Sequence, residues 1–117
     1  MTKIYQYPNC SSCKKALKFL SANGVDFDSI NIVDTPPSKK ELKTMLESYS
    51  GEIKKLFNTS GQVYREMKIK DKIDSLSKND AIDLLNANGK LIKRPFLLDK
   101  KTNLVGFKEE TWKQELL

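Results

Sequence analysis

Two cysteines, Cys10 and Cys13, stand three apart in the run PNCSSCKKA. A C-x-x-C spacing suits one chemistry above others, the exchange of a dithiol with a disulfide. The run follows Lys3 to Tyr7, a stretch of good pleat formers that Pro8-Asn9 interrupts. Cys13, Ala16, Leu17 and Leu20 then recur at i, i+3, i+4 and i+7, which predicts an amphipathic helix. Cys10 should therefore close a loop while Cys13 occupies the first helical turn. Residues three apart on a helix face one another, and a Cα separation of about 5 Å lies within the range that a disulfide accepts.

Such a turn also supplies the electrostatics that the chemistry needs. A helix N-terminus presents free N–H groups and a partial positive charge, both of which favour a thiolate. Lys14 and Lys15 add positive charge, and the small Ser11 and Ser12 leave the first sulfur accessible. Cys10 is the expected nucleophile. Cys13, on the apolar stripe, is the expected resolving thiol that attacks a mixed disulfide formed at Cys10. Two blander readings compete: a pair of structural cysteines, or half of a zinc site. Zinc takes four ligands from Cys, His, Asp or Glu, and the chain has two cysteines and no histidine. The lack of histidine also excludes Cys-His and Ser-His catalysis.

The elements that must carry this turn follow an α/β order. With 117 residues the chain fits one domain, residues 1–117. A second strand is expected over residues 26–33, with Ile30 and Ile32 alternating against Ser29 and Asn31. Ser38 and Glu41 have the spacing of a capping box, and Leu42, Met45, Leu46 and Tyr49 continue as a buried helical stripe. A short helix is expected at Ile53, Leu56 and Phe57, and Asn58 to Lys72 has no clear pattern. Ser77 with Asp80 resembles a second capped start. Phe96-Leu97-Leu98 reads as a buried strand, residues 99–102 as a hairpin turn and Leu104 to Gly106 as its return. A final helix holds Trp112 and Leu116. Residues of about 38–90 thus form a helical insertion inside a β-α-β … β-β-α frame with a four-stranded mixed sheet.

The net charge is +6, from 21 basic and 15 acidic residues. A basic balance suits nucleic acid, an anionic substrate or an acidic protein partner, or a merely lysine-rich surface. Arg65 and Arg94 are the only arginines. Arginine forks are the usual readers of bases and phosphates, so direct nucleic-acid binding is not expected. No apolar run approaches the roughly 18 residues of a membrane span, and no signal-peptide pattern precedes Cys10. A cytoplasmic location, with the reduced thiols of that compartment, is the expectation.

The chain resembles the arsenate reductase / Spx family of the thioredoxin-like superfamily. The resemblance is carried by IYQYPNCSSCKKA, NIVDTPPSKKEL, LFNTSGQVYREM and LIKRPFLLDKKTNLVGFKEETW. It implies a thioredoxin-like sheet with an inserted helical region. It also implies that Pro95, just before the buried strand, is the proline that faces the C-x-x-C turn, in cis in such folds, and that Arg94 reaches toward the Cys10 sulfur to hold an anion or a thiolate. Glutathione-dependent arsenate reductases hold the oxyanion with three arginines. Arg94 matches one of these, while Asn58 and Gly106 align with the others and Arg65 falls out of register. The C-x-x-C pair instead resembles that of Spx, a disulfide switch. Spx binds the C-terminal domain of the RNA polymerase α subunit, and Gly51 lies close to a glycine of that contact. The resemblance implies no bound cofactor. Its reductant would be glutathione with glutaredoxin, thioredoxin or another low-molecular-weight thiol, acting with protein or small-molecule disulfides as substrates.

Overall fold

The computed structural model describes residues 2–100 and 102–117. Strand β1 (Thr2–Gln6) leads into helix α1 (Ser11–Ala22), and β2 (Phe27–Asn31) returns beside β1. Helices α2 (Lys39–Ser48), α3 (Gln62–Glu66) and α4 (Lys78–Ala87), with short 3-10 turns between and after them, fill the stretch up to β3 (Phe96–Leu98). Strand β4 (Asn103–Val105) and helix α5 (Glu109–Leu116) close the chain. The sheet order is β2-β1-β3-β4. β1 pairs in parallel with β2 and antiparallel with β3, and β3 pairs antiparallel with β4. This is the four-stranded mixed sheet of a thioredoxin-like fold.

Alternation along the central strand builds both faces of the core. Side chains of consecutive strand residues point to opposite faces. Ile4 therefore joins Phe19, Leu20, Leu97 and Trp112 beneath α1 and α5. Tyr5 joins Leu42, Met45, Leu85 and Phe96 beneath α2 and α4. Each such fully buried apolar side chain contributes about 1.5–3 kcal/mol. Gly89 is required at the end of the insertion, because a Cβ there would lie 1.9 Å from the carbonyl oxygen of Ile32.

Several boundaries differ from expectation for local reasons. β1 ends at Gln6 because the carbonyl of Tyr7 turns away from the sheet to accept the Cys10 N–H at 3.2 Å. β2 stops at Asn31, whose side-chain oxygen accepts the N–H groups of Val33 and Asp34 and bends the chain. Tyr49 lies just past α2 rather than in its stripe, and its hydroxyl accepts the Val105 N–H at 3.0 Å. β4 ends before Gly106, which turns at φ +73. The patternless stretch contains α3 and a 3-10 turn at Ile69–Asp71. The hairpin closes through Asp99 N–H and the Thr102 carbonyl at 2.9 Å, while Lys101 within it lies outside the described residues. No helix among the described residues is long and apolar enough to cross a membrane.

Candidate active site

Cys10 is the N-cap of α1, in extended backbone at φ −111 and ψ 113, and its sulfur accepts the Cys13 N–H at 3.3 Å. An N-cap side chain satisfies one of the free donors of the first turn, and here a sulfur takes that place. Both cysteines are free thiols. Cys10 is half-buried, whereas Cys13 is fully buried on the face that packs into the core. Burial pushes the Cys13 thiol up from 9.0 to about 12. Its hydrogen bond with Cys10 and the nearby Cys10 charge add to that rise, and a Tyr7 backbone hydrogen bond and the Arg94 charge oppose it. Cys13 thus holds a neutral thiol against the other sulfur.

Ser11 and Lys14 are exposed and Ser12 is half-buried. The first turn of α1 carries no acidic residue, so nothing in it neutralises the helix dipole at the sulfur.

The second half of the site comes from the entry to β3. The Arg94–Pro95 peptide bond is cis and Pro95 is buried. Phe96, the next residue, is in register with Tyr5 of β1, which brings this step to the end of β1 from which the dithiol turn departs. The Pro95 carbonyl accepts the Gly106 N–H at 2.9 Å. The Arg94 guanidinium lies over the Tyr7 ring, 5.0 Å from its centroid. Its Nη1 is buried with no hydrogen-bond partner. A buried guanidinium nitrogen left open in this way is fitted to accept an anion.

Arg94 and Ser12 both line a groove of about 860 Å³, with Gly51, Lys54, Lys93 and Gly106 among its other walls. Gly51 turns there at φ +77. Arg65 does not line the groove, and its guanidinium donates to the Ser60 carbonyl at 3.0 Å. Asn58 also stays out of the groove, and its side chain abuts Gly61. Among the described residues no group of three or more His, Cys, Asp or Glu side chains is placed to hold a metal.

The ArsC family model matches residues 5–115 of the chain. The chain belongs to the ArsC family. Within it, the uncharacterised protein YusI of Bacillus subtilis is 43% identical over 111 residues, covering 95% of this chain and 94% of that one. The global transcriptional regulator Spx of Streptococcus pyogenes is 33% identical over 110 residues, covering 94% of this chain and 81% of Spx. The crystal structure of an ArsC family related protein from Bacteroides fragilis superposes with a TM-score of 0.91 at 42% identity, covering 97% and 95% of the two chains.

Of the residues that sequence reasoning singled out, Cys10 and Cys13 form the turn and Pro95 lies at the entry to β3, while Ser12, Arg94 and Gly51 line the groove and Cys10, Cys13 and Pro95 do not. Sequence reasoning missed Tyr7 as the platform under Arg94, having read it only as the end of a strand. The signal was available: an aromatic residue just before the loop and an arginine just before the facing strand share one end of the sheet. It also missed the lysines of the groove wall, because their proximity depends on the packing of the insertion.

Proposed function

We propose that this ArsC family protein is a thiol–disulfide oxidoreductase in which Cys10 is the nucleophile and Cys13 the resolving thiol. The observation that carries this reading is the capping arrangement: a half-buried sulfur at the helix N-terminus with a buried, neutral thiol one turn behind it. The Cys10 thiolate attacks one sulfur of a substrate disulfide. The substrate's other sulfur leaves as a thiolate, and a mixed disulfide remains at Cys10. That step removes the Cys10 charge and its hydrogen bond, two of the causes that hold the Cys13 proton. Cys13 then loses its proton to solvent and attacks the Cys10 sulfur. The second substrate thiol is released and a Cys10–Cys13 disulfide forms. Two electrons have passed from protein to substrate, and an external thiol restores the dithiol. Glutathione with glutaredoxin, thioredoxin or another low-molecular-weight thiol fits that last role. Arg94 steadies negative charge at the reacting sulfurs, and Pro95 holds it there. Ser11, Ser12 and Lys14 leave the sulfur open and the helix end positive.

Trapping tests the reading. In Cys13→Ser the mixed disulfide at Cys10 cannot resolve, so partners from oxidised cell extract should accumulate as adducts visible by intact-mass spectrometry. Cys10→Ser should form none and lose disulfide exchange by at least about a thousandfold. An absence of adducts on Cys13→Ser, with no exchange of model disulfides by the wild type, would overturn it.

A second reading, a redox-switched regulator without turnover, draws support from the Spx relatives and from Gly51 in the same groove as Arg94. The test is binding of the reduced and the oxidised protein to the C-terminal domain of the α chain of RNA polymerase, and no binding in either state removes it. Arsenate reduction has less support. Asn58 and Gly106 stand where the resemblance calls for arginines, and Arg94 is the only arginine lining the groove. Negligible arsenate turnover with glutathione and glutaredoxin, or with thioredoxin, is expected.

A further inference from the structure

The groove, which reaches the dithiol turn through Ser12, is much larger than an oxyanion requires, and its charge is one-sided. Its volume of about 860 Å³ is near the upper end of the roughly 300–1,000 Å³ typical of ligand pockets. Five cations line it, namely Lys54, Lys55, Lys93, Arg94 and Lys108, against Glu52 and Asp74. That excess of three charges is half of the chain's net +6, concentrated on one surface. Glu52 lies 4.0 Å from Lys55, whereas Lys54, Lys93 and Lys108 make no ion pair among the described residues. Its walls also include the half-buried apolar side chains of Ile53, Leu76 and Phe107. A basic rim around apolar walls, reaching an unpartnered arginine nitrogen, complements an acidic chain with apolar anchors.

We propose that this groove receives a polypeptide segment bearing the substrate disulfide with carboxylate side chains beside it. The proposal rests on the reading of Cys10 as the exchange nucleophile and assigns that site its substrate class. Carboxylates within reach of the four exposed lysines steer the segment into the groove, and screening by salt weakens this steering. Chemistry is unchanged: the segment's disulfide is attacked at Cys10, its leaving thiolate departs, and Cys13 resolves the adduct.

Single-turnover exchange by the pre-reduced full chain tests this without any external reductant. The probes are three cysteine peptides of equal length, each joined by a disulfide to thionitrobenzoate, with two glutamates, two glutamines or two lysines flanking the cysteine. Thionitrobenzoate release should be about tenfold faster from the glutamate peptide than from the glutamine peptide in low salt, and slowest from the lysine peptide. The ratio should fall toward one in 1 M salt. In the double variant Lys93→Gln/Lys108→Gln the glutamate-to-glutamine ratio should drop to about two. Because each ratio is internal to one protein, a general change in reactivity cancels. Equal release from all three peptides by the wild type, or an unchanged ratio in the variant, overturns the groove proposal while leaving the exchange reading intact. No release above the Cys10→Ser background from any probe instead defeats the exchange reading itself. Glutathione disulfide exchanged as fast as the glutamate peptide would overturn the polypeptide occupant in favour of a small acidic disulfide.

Discussion

Three helices of the molecule begin in the same way, and they differ in the atoms used. α2 is capped by Ser38, whose hydroxyl accepts the Glu41 N–H at 3.1 Å, and Glu41 returns a bond from the Ser38 N–H at 2.9 Å. α4 is capped by Ser77, which accepts the Asp80 N–H at 3.0 Å. α1 is capped by Cys10, and the residue at the third helical position is Cys13. The C-x-x-C motif therefore occupies the register of a capping box. At α2 and α4 a carboxylate sits in the first turn and complements the positive helix end. At α1 no acid is present, and the field falls on a sulfur. Two of these starts apply the helix end to a carboxylate, while the third leaves it uncompensated at a sulfur.

The largest test of this contrast is alkaline and acid denaturation, because the residues at the third position respond with opposite signs. Cys13 binds its proton more tightly in the folded state, so the folded protein holds more protons than the unfolded chain between pH 9.0 and about 12. Stability present below pH 9 should fall through that window as the Cys13 proton is lost. Cys13→Ser should remove this part of the loss, leaving the part due to Tyr5 and Tyr64, both also raised by burial. Glu41 runs the other way. Burial pushes its carboxyl up, but the bonds from the Ser38 backbone, Lys3 and Tyr5 outweigh burial and hold it below 4.5. Its stabilisation is present above that value and lost as pH falls through the lowered one. Urea midpoints across pH for wild type, Cys13→Ser and Glu41→Gln check both signs.

Removing a structural cap should cost less. Ser38→Ala deletes the acceptor of the Glu41 N–H and should destabilise by about 1 kcal/mol, read as a lower urea midpoint. The rate of Cys10 alkylation should stay unchanged, since the two caps share no partner. A slower Cys10 would mean that the dithiol turn depends on α2 and that the two caps are not independent.

Making the functional cap resemble a structural one should cost reactivity instead. Ser11→Glu places a carboxylate in the first turn of α1, where the exposed position tolerates it. A charge there interacts with the helix end by about 0.3–1 kcal/mol, so Cys10 alkylation at pH 7 should slow by about two- to fivefold. Helix stability should hold or rise slightly. Unchanged alkylation would show that the helix end does not act on the sulfur.

Most of this frame was legible in the chain because it rests on local rules. The strand-to-helix turn, the caps at Ser38 and Ser77, and the buried Phe96 to Leu98 strand each follow from residues within about ten positions. The groove was not legible, because Gly51, Lys54, Lys93 and Lys108 meet only through the packing of the insertion. Asn58 to Lys72 stayed patternless for the same reason. Its five-residue helix is too short to show a period, and Tyr64 and Ile69 are buried in a core cluster with sequence-distant residues such as Leu42 and Leu85. The arrangement of Arg94 was half legible: its neighbour Pro95 pointed to the turn, but the ring that holds it did not announce itself.

An effect of the same order concerns that ring. At α2 the nearby cation is consumed, because Lys3 Nζ lies 2.9 Å from Glu41. At α1 the nearby cation is kept available, because Tyr7 supports Arg94 with a ring face rather than a counter-charge. A contact of this kind is worth about 0.5–1 kcal/mol at a partly exposed site. Tyr7→Ala should therefore slow exchange with an anionic model disulfide by about two- to fivefold, through freer motion of Arg94. Tyr7→Phe keeps the ring and should restore the rate. The backbone bond from Cys10 N–H to the residue 7 carbonyl persists in both variants, so the dithiol turn itself is conserved. With a cationic disulfide, Tyr7→Ala should be no slower than wild type. A uniform loss on both substrates, unrescued by Tyr7→Phe, would assign Tyr7 to packing alone. A loss confined to the anionic substrate would mark Arg94 as the feature that most sharply separates this helix start from the other two.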